Sequence, residues 1–396
     1  MDAQAGPRRA HRAEAPRYIY PAMRMMRPAA ALVALVCAAA GAAVGVAPVG
    51  AQQAPAAGCE ITAFVTNAGG NSVSTIDVAT RTRDPNDIPL GMGATPSGVA
   101  ITPDRTTAFV VNTGFGSVST IDVATRTKNP VDIPVGSSPD SVAITPDGAT
   151  AFVTNQTDNS VSTIDVATRT KNPTDITVGA NPLGIAITPD GKTVYVANAN
   201  GDTVSTIDVP TRTKDPTDIP VGHTPSSVAI TRDGTTAWVT NQDGPFPNPG
   251  IAGSVSTIDV ATRTKDPTDI TGFSHPSSVA ITPDQSTAFV TNFGDDSVSA
   301  IDVATRTKDP TDIDVNTHPI GLAITPNGGN VYVANFDSNP PSVSTIDVTT
   351  RQSDPTDIPV PAGNPVEIAF TPPCPPGPPP APTPATPLAA TPRFTG

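Results

Sequence analysis

Residue types that commonly carry catalysis are scarce in this chain of 396 residues. It has only three glutamates, Glu14, Glu60 and Glu367, so carboxylate chemistry would have to rest mainly on aspartate. It contains no His-Glu-x-x-His, no Gly-x-Ser-x-Gly and no glycine-rich phosphate loop, which are common signatures of zinc proteases, serine hydrolases and nucleotide-binding proteins. No catalytic residue is therefore assigned from a motif.

Three histidines are the first candidates for a binding site. His223, His275 and His318 occur in three consecutive copies of an internal repeat, close to the same proline-led segment. Imidazoles placed in this way could converge on one divalent metal, with nitrogens about 2.0–2.1 Å from a zinc-like ion. When protonated, they could instead attract a carboxylate ligand. The alternative is that they are solvated loop residues, because His223 is offset by one residue and no Glu or Cys completes a ligand set.

The longest loop is a second candidate. Residues 242–253 make this copy of the repeat eight residues longer than the typical copy. Loops tolerate variation and often carry function, so a departure from the other copies indicates a possible contact surface. The candidate binding residues in this loop are Gln242, Asp243, Phe246 and Asn248.

These candidates are positioned by a unit that is repeated seven times. Each copy contains an aromatic-led phrase such as Phe64-Val65-Thr66-Asn67, followed by Ser-Thr-Ile-Asp-Val or a close variant. A third phrase, Pro-x-x-Val-Ala-Ile-Thr-Pro-Asp, is degenerate in its last copy at residues 365–372. The asparagines that end the first phrase recur every 43 to 51 residues: Asn67, Asn112, Asn155, Asn198, Asn241, Asn292 and Asn335.

Each unit predicts four short strands. Val-Ala-Ile-Thr is the first, the aromatic-led phrase is the second, and the alternating, β-branched Ser-Thr-Ile-Asp-Val phrase is the third. The fourth, Asp-Ile-Pro-Val-Gly, contains a proline that removes a ladder donor and so belongs at a sheet edge. Four strands in a unit of about 40–50 residues are typical of a propeller blade. We therefore predict an all-β fold, a seven-bladed β-propeller of four-stranded blades.

The repeat phrases resemble those of a known family. Tyr-Val-Ala-Asn and Phe-Val-Thr-Asn followed by Ser-Thr-Ile-Asp-Val are similar to the YVTN-type β-propeller repeats of prokaryotic surface and periplasmic proteins. The resemblance extends over residues 59–374 and implies a seven-bladed propeller. It implies no single function, because members and related propellers include surface-layer-like antigens, periplasmic binding proteins, lactonases and lyases.

The two ends of the repeat region predict how the ring closes. No Val-Ala-Ile-Thr phrase precedes Phe64, and no second strand follows the last first-strand phrase at residues 366–371. One C-terminal strand that joins three N-terminal strands in a single blade removes both open edges. This alignment places Cys59 and Cys374 in the same interrupted turn, within disulfide reach. We expect a Cys59–Cys374 disulfide rather than two free thiols.

The N-terminal segment has the composition of an export signal. Residues 29–47 are uncharged and apolar, follow two arginines, and precede small residues suited to cleavage before Gln52. We expect residues 1–51 to be a signal peptide, with the true start possible among residues 23–26, and residues 52–58 to be a short linker. An uncleaved membrane anchor is the alternative, because 19 residues could just span a bilayer.

Charge and the C-terminal composition limit the partners. Without residues 1–51, the chain carries 17 Lys and Arg against 34 Asp and Glu, a formal charge of −17 that repels the phosphates of nucleic acids and anionic lipids. Residues 375–396 contain nine prolines and predict a disordered tail. We expect an exported monomer, extracellular, on the cell surface or periplasmic, with no nucleic-acid partner and no stable membrane insertion after cleavage.

Near-identical repeats and scarce catalytic residue types favour a non-enzymatic function. We interpret the chain as an exported scaffold that presents one variable loop face to a protein, a glycan or a small ligand. The alternative is a lactonase- or lyase-like enzyme with its site at the mouth of the central channel. No cofactor is required, although a divalent metal could bind at that mouth.

Overall fold

The computed structural model describes residues 60–242, 253–361 and 363–374. The predicted signal peptide and linker, Cys59, most of the longest loop and the Pro-rich tail lie outside these residues. Clustering of contacts divides the chain into two units, and the second, Gln53–Gly396, contains everything described here. Within the described ranges no helix is long and apolar enough to cross a bilayer.

The described residues form seven antiparallel sheets of five strands each, which are the blades of a propeller. Blade 1 contains β1 (Thr62–Asn67), β2 (Ser72–Asp77), β3 (Thr82–Arg83) and β4 (Ile88–Pro89), and it is completed by the last strand of the chain. Blade 2 contains β5 (Pro96–Ile101), β6 (Thr107–Asn112), β7 (Ser117–Asp122), β8 (Thr127–Lys128) and β9 (Ile133–Pro134). Blade 3 contains β10 (Pro139–Ile144), β11 (Thr150–Asn155), β12 (Ser160–Asp165), β13 (Thr170–Lys171) and β14 (Ile176–Thr177).

The remaining blades repeat this order. Blade 4 contains β15 (Pro182–Ile187), β16 (Thr193–Asn198), β17 (Thr203–Asp208), β18 (Thr213–Lys214) and β19 (Ile219–Pro220). Blade 5 contains β20 (Pro225–Ile230), β21 (Thr236–Asn241), β22 (Gly253–Asp259), β23 (Thr264–Lys265) and β24 (Ile270–Phe273). Blade 6 contains β25 (Pro276–Ile281), β26 (Thr287–Asn292), β27 (Ser297–Asp302), β28 (Thr307–Lys308) and β29 (Ile313–Asp314). Blade 7 contains β30 (Pro319–Ile324), β31 (Asn330–Asn335), β32 (Ser342–Asp347), β33 (Gln352–Ser353) and β34 (Ile358–Pro359), and β35 (Pro365–Phe370) follows.

The outer edge of each blade differs from the four-strand prediction. The predicted fourth strand corresponds to the second of two short strands, β4, and an additional short strand, β3, lies between the predicted third and fourth strands. The two short strands pair with opposite ends of β2. The proline of the predicted strand, Pro89, lies in β4, where it cannot donate to the ladder. The seven-bladed all-β prediction is confirmed, with an outer edge of two short strands.

Ring closure follows the prediction. Strand β35 pairs antiparallel with β1, with Ala63 opposite Phe370 and Val65 opposite Ile368. The pairing is extended by a hydrogen bond from Thr371 N to Thr62 O at 2.9 Å. The first and last parts of the propeller therefore share one sheet, which leaves no unpaired edge at the junction.

The core lies between blades. Seven clusters of buried side chains each combine residues of two neighbouring blades, as where Phe64 and Val73 of blade 1 pack against Val99 and Val110 of blade 2. The aromatic residue of every second strand is fully or almost fully buried, including Trp238, the single tryptophan. Both faces of each sheet are therefore covered, which explains why the second strands read as continuous apolar runs.

A polar relay explains the repeated asparagine. In blade 2, Asn112 Nδ2 donates to Ser119 Oγ at 2.8 Å, and Ser119 Oγ donates to Asp132 Oδ1 at 2.7 Å. Lys128 Nζ lies 2.6 Å from the same carboxylate oxygen. The relay joins the second strand to the loop before the outermost short strand, so these repeated polar residues hold each blade together.

Candidate active site

The innermost strands surround the central channel. Neighbouring inner strands contact one another around the whole ring, ending with β35 against β5. Hydroxyl groups of second strands bond to the inner strand of the next blade: Thr66 Oγ1 donates to Ser97 O at 2.6 Å, and Thr154 Oγ1 donates to Leu183 O at 2.8 Å. None of the seven inner strands contains Lys or Arg. The inner strands therefore bring no cation to the wall of the channel.

Two carboxylic acids stand in this wall. Asp140 lies on β10 of blade 3 and Glu367 lies on β35 of blade 1, and both are only partly exposed. Burial raises the pKa of Asp140 to about 6, although a 2.8 Å hydrogen bond from Gln156 Nε2 acts in the opposite direction. Burial raises the pKa of Glu367 to about 7, with the backbone N–H of Ile368 opposing this shift and the nearby charge of Asp140 adding to it.

The charge of Asp140 makes a small contribution to the raised pKa of Glu367, and burial is the main cause for both acids. Between the two pKa values the pair holds about one proton, so that one carboxyl group can donate a proton while the other accepts one. This is the arrangement required for general acid–base catalysis near neutral pH.

Gly98 lies between the two acids, on β5 of blade 2. A Cβ atom at this position would lie 2.8 Å from Asp140 O and 2.8 Å from Ser141 Cα, so even alanine would collide with the backbone of β10. The glycine lets the inner strands of blades 2 and 3 approach closely.

The sequence analysis missed this pair, although a signal was present. Both acids replace uncharged residues of the repeat: Asp140 stands where the other inner strands have Ser97, Leu183, Ser226, Ser277, Ile320 and Val366. Glu367 stands where they have glycine or serine. The pair was missed because candidate residues were taken from the variable loops and not from the exceptional positions inside the inner strands.

Comparison with known proteins identifies the family. The family model described as Lactonase, 7-bladed beta-propeller, matches residues 98–245 and 251–370, which is more than half of the chain. The chain belongs to this lactonase family. The match supports the broader part of the sequence-based resemblance, a seven-bladed propeller family, and does not single out YVTN-type repeats.

Solved structures with the same fold have varied descriptions. Hydrazine synthase of Kuenenia stuttgartiensis is 26% identical over 65% of this chain and 78% of that chain, with a TM-score of 0.59. Two candidate 6-phosphogluconolactonases, from Bacteroides uniformis and Bacteroides fragilis, are 17% and 19% identical, with a TM-score of 0.64 for each. They cover 78% and 80% of this chain, and 99% of each of those chains, and at this identity they show the fold alone. The comparison with curated proteins finds no match.

Membership of the lactonase family corrects the functional interpretation made from the sequence. The non-enzymatic scaffold was inferred from near-identical repeats, but that regularity belongs to the blades and says nothing about the few positions that depart from it. The interpretation is wrong, and the alternative, a lactonase- or lyase-like enzyme at the channel, agrees better with the family.

The three histidines of this lactonase-family propeller lie in separate environments. His223 Nδ1 is 2.8 Å from Asp202 Oδ2, and His318 Nδ1 is 3.0 Å from Asp337 Oδ2. The His318 ring also stacks on Phe293, with centroids 4.5 Å apart. Among the described residues, no three His, Cys, Asp or Glu side chains form a group that could hold a metal. The structure does not bring these imidazoles together as one ligand set, and their role in binding stays a prediction.

The other predicted site residues are only partly covered by the structure. Gln242 follows β21, and its backbone N–H donates to Thr224 O at 3.1 Å. Asp243, Phe246 and Asn248 lie outside the described residues. Cys374 is disulfide-bonded, whereas its predicted partner, Cys59, lies outside the described part, so this pairing stays a prediction.

Proposed function

We propose that this protein hydrolyses cyclic esters, that is lactones, in its central channel, with Asp140 and Glu367 as the acid–base pair. The single observation that carries the proposal is this pair of partly buried carboxyl groups on inner strands, with pKa values of about 6 and about 7. Perturbed titratable groups in a concave site are typical of catalytic centres. Membership of the lactonase family supports the same reaction class.

The reaction needs one proton acceptor and one proton donor. Asp140, which has the lower pKa, accepts a proton from water as the water oxygen forms a bond to the lactone carbonyl carbon. The bond between that carbon and the ring oxygen then breaks. Glu367, which has the higher pKa, donates its proton to the departing ring oxygen. The product is an open-chain hydroxy acid, and proton exchange with solvent restores the pair.

The surroundings of the pair favour an uncharged substrate. The inner strands contribute two carboxyl groups and no Lys or Arg, so they offer nothing to neutralise a phosphate. The hydroxyl and amide groups beside Asp140, including Ser97 and Gln156, suit the oxygen atoms of a neutral ring. We therefore propose unphosphorylated lactones, rather than phosphorylated sugar lactones, as the substrate class.

A substrate panel tests the proposal. Five- and six-membered neutral lactones, with one phosphorylated sugar lactone as the contrast, are assayed by proton release with and without EDTA. Asp140→Asn and Glu367→Gln should each lower kcat by about 10²–10⁴-fold, whereas the exposed Glu60→Gln control should not. The pH profile of kcat/KM should be bell-shaped, with limbs near the two pKa values. No turnover of any lactone, or turnover unaffected by both channel variants, would overturn the proposal.

We also propose that the repeats are of the YVTN type, that the protein is exported with residues 1–51 removed, and that Cys59 and Cys374 form a disulfide. The repeated aromatic-led phrases support the repeat type. The apolar segment 29–47, the small residues before Gln52 and the two cysteines of residues 52–396 support export and the disulfide. N-terminal sequencing and mass spectrometry of a non-reduced digest test both. A retained segment 29–47, or alkylatable thiols at both cysteines, would contradict them.

A further inference from the structure

A belt of ion pairs joins neighbouring blades on the outer rim. In five of the seven blades, the arginine at the turn after the third strand forms an ion pair with an aspartate of the preceding blade, as Arg126 of blade 2 does with Asp84 of blade 1. The groove between these two blades is a cavity of about 220 Å³ that both residues line. The same pairing closes four other grooves: Arg81 with Asp354, Arg263 with Asp215, Arg306 with Asp266, and Arg351 with Asp309.

Two consecutive grooves differ from this pattern. At the aspartate position, blade 2 has Asn129 and blade 3 has Asn172, which face the turns that carry Arg169 and Arg212. Neither arginine makes an ion pair or a hydrogen bond among the described residues, unlike the five arginines above. We call these two sites, Asn129 with Arg169 and Asn172 with Arg212, the open grooves.

The orientation of each asparagine is determined by the local turn. In a closed groove, Asp215 Oδ1 accepts from Thr217 N at 3.1 Å, which leaves Oδ2 for the arginine. In the open grooves, Asn129 Oδ1 accepts from Val131 N and Asn172 Oδ1 from Thr174 N, each at 3.2 Å. The amide Nδ2 must then occupy the place of the missing carboxylate oxygen. A guanidinium and an amide nitrogen are both hydrogen-bond donors, so these asparagines cannot replace the aspartate of the closed grooves.

The neighbouring charged residues do not replace the missing aspartate in the open grooves. Asp122 interacts with Arg169 at longer range, and Asp165 with Arg212, but each aspartate accepts hydrogen bonds from its own turn, which lower its pKa. The nearby Lys128 and Lys171 are paired with Asp132 and Asp175 of their own blades.

We propose that the open grooves bind the carboxylate side chains of an acidic segment in a partner protein. The ligand chemistry is given by the protein itself, because in five equivalent grooves the same arginine binds a carboxylate of an Asp-Pro-x-Asp segment. The open grooves are adjacent, so a segment with two acidic residues can occupy both. Val131, which replaces the Thr or Asn of other copies and is 72% exposed, offers an apolar contact beside Arg169.

Binding of a synthetic peptide tests the proposal. The probe is a fluorescein-labelled peptide with two Asp-Pro-Thr-Asp segments, measured by fluorescence anisotropy against the intact propeller at about 0.15 M salt, which screens the net negative charge of the protein. An asparagine version of the peptide is the contrast. The wild type should bind the acidic peptide saturably, and Arg169→Ala with Arg212→Ala should weaken binding by about tenfold or more. Arg263→Ala, at a closed groove, is the matched control and should leave binding unchanged.

Two reciprocal variants distinguish specific binding in the open grooves from nonspecific attraction between charges. Asn129→Asp with Asn172→Asp should close both grooves with the protein's own carboxylates and abolish saturable binding. Asp266→Asn should free Arg306 and add a third binding site. Equal binding by wild type and the closed variant would overturn the proposal. So would displacement of the peptide by millimolar inorganic phosphate but not by acetate, which would mark a phosphate site.

Discussion

Replacing Glu367 by glutamine should stabilise the propeller at alkaline pH and leave its stability at acidic pH nearly unchanged. Burial raises the pKa of Glu367 from 4.5 to about 7. Since the folded protein holds this proton more tightly than the unfolded chain, the stabilisation is complete below about pH 4.5 and is lost as pH rises through about 7. Glutamine keeps the shape of the protonated acid and cannot ionise.

The size of the effect follows from the pKa shift. One pKa unit corresponds to about 1.4 kcal/mol, so a shift from 4.5 to about 7 sets an upper bound of about 3 kcal/mol at pH 8. Partial exposure of Glu367 reduces this, and we expect a gain of about 1–2 kcal/mol for Glu367→Gln at pH 8. Asp140→Asn should reduce the gain, because it removes a neighbouring negative charge.

The assay is urea unfolding at pH 4.5, 6 and 8, followed by the fluorescence of Trp238. This single tryptophan is fully buried, so it reports the loss of core packing directly. Glu60→Gln, an exposed substitution, controls for the change in net charge. The reasoning is refuted if Glu367→Gln is less stable than wild type at pH 8, because the ionised carboxylate would then make favourable contacts in the folded state.

Four smaller predictions follow from other parts of the structure. Asn112→Ala should cost about 2 kcal/mol in urea unfolding, because Ser117 and Ser119 lose a buried donor. Thr206→Val should be neutral or stabilising by up to about 1 kcal/mol in the same assay, because the buried Thr206 Oγ1 has no hydrogen-bond partner among the described residues. Arg263→Ala should cost less than about 1 kcal/mol, since this rim ion pair is 38% exposed on the arginine side. Gly98→Ala should lower the thermal midpoint by several degrees, because the new Cβ would lie 2.8 Å from Asp140 O, and a scanning calorimetry trace unchanged by this substitution would contradict the close approach.

The fold could be predicted from the sequence because the local features of each repeat all favour the same structure. The β-branched third phrase, the aromatic second phrase and the turn residues each favour the same four-strand unit, and the interrupted first and last copies predict the closing strand. The prediction missed the additional short strand, β3 in blade 1, because a pairing of only two residues at the end of the third strand depends on the path of the turn between them. Such a path has no simple sequence period.

The candidate site was predicted less well, for a physical reason. His223 and His318 depart from the repeat in loops, where side chains can turn toward a local aspartate, and both do so. Sequence position alone cannot tell such local pairing from convergence on a shared ligand. The pKa values of Asp140 and Glu367, by contrast, depend on which strands surround the axis and on the distance between blades 1 and 3, which appear only when the ring is closed.

In a protein built from near-identical units, function is most visible as a difference between copies, and the location of the difference decides what it means. A side chain packed between two blades must fill the same space in every copy of the repeat. The aromatic position of the second strand therefore changes in type, as in Phe64, Tyr195 and Trp238, but is buried in each copy. A charged substitution in an inner strand has no packing benefit to offset the cost of burying a carboxyl group. Asp140 and Glu367 bear that cost in two copies only, which is expected of residues retained for the chemistry of the channel rather than for the stability of the ring.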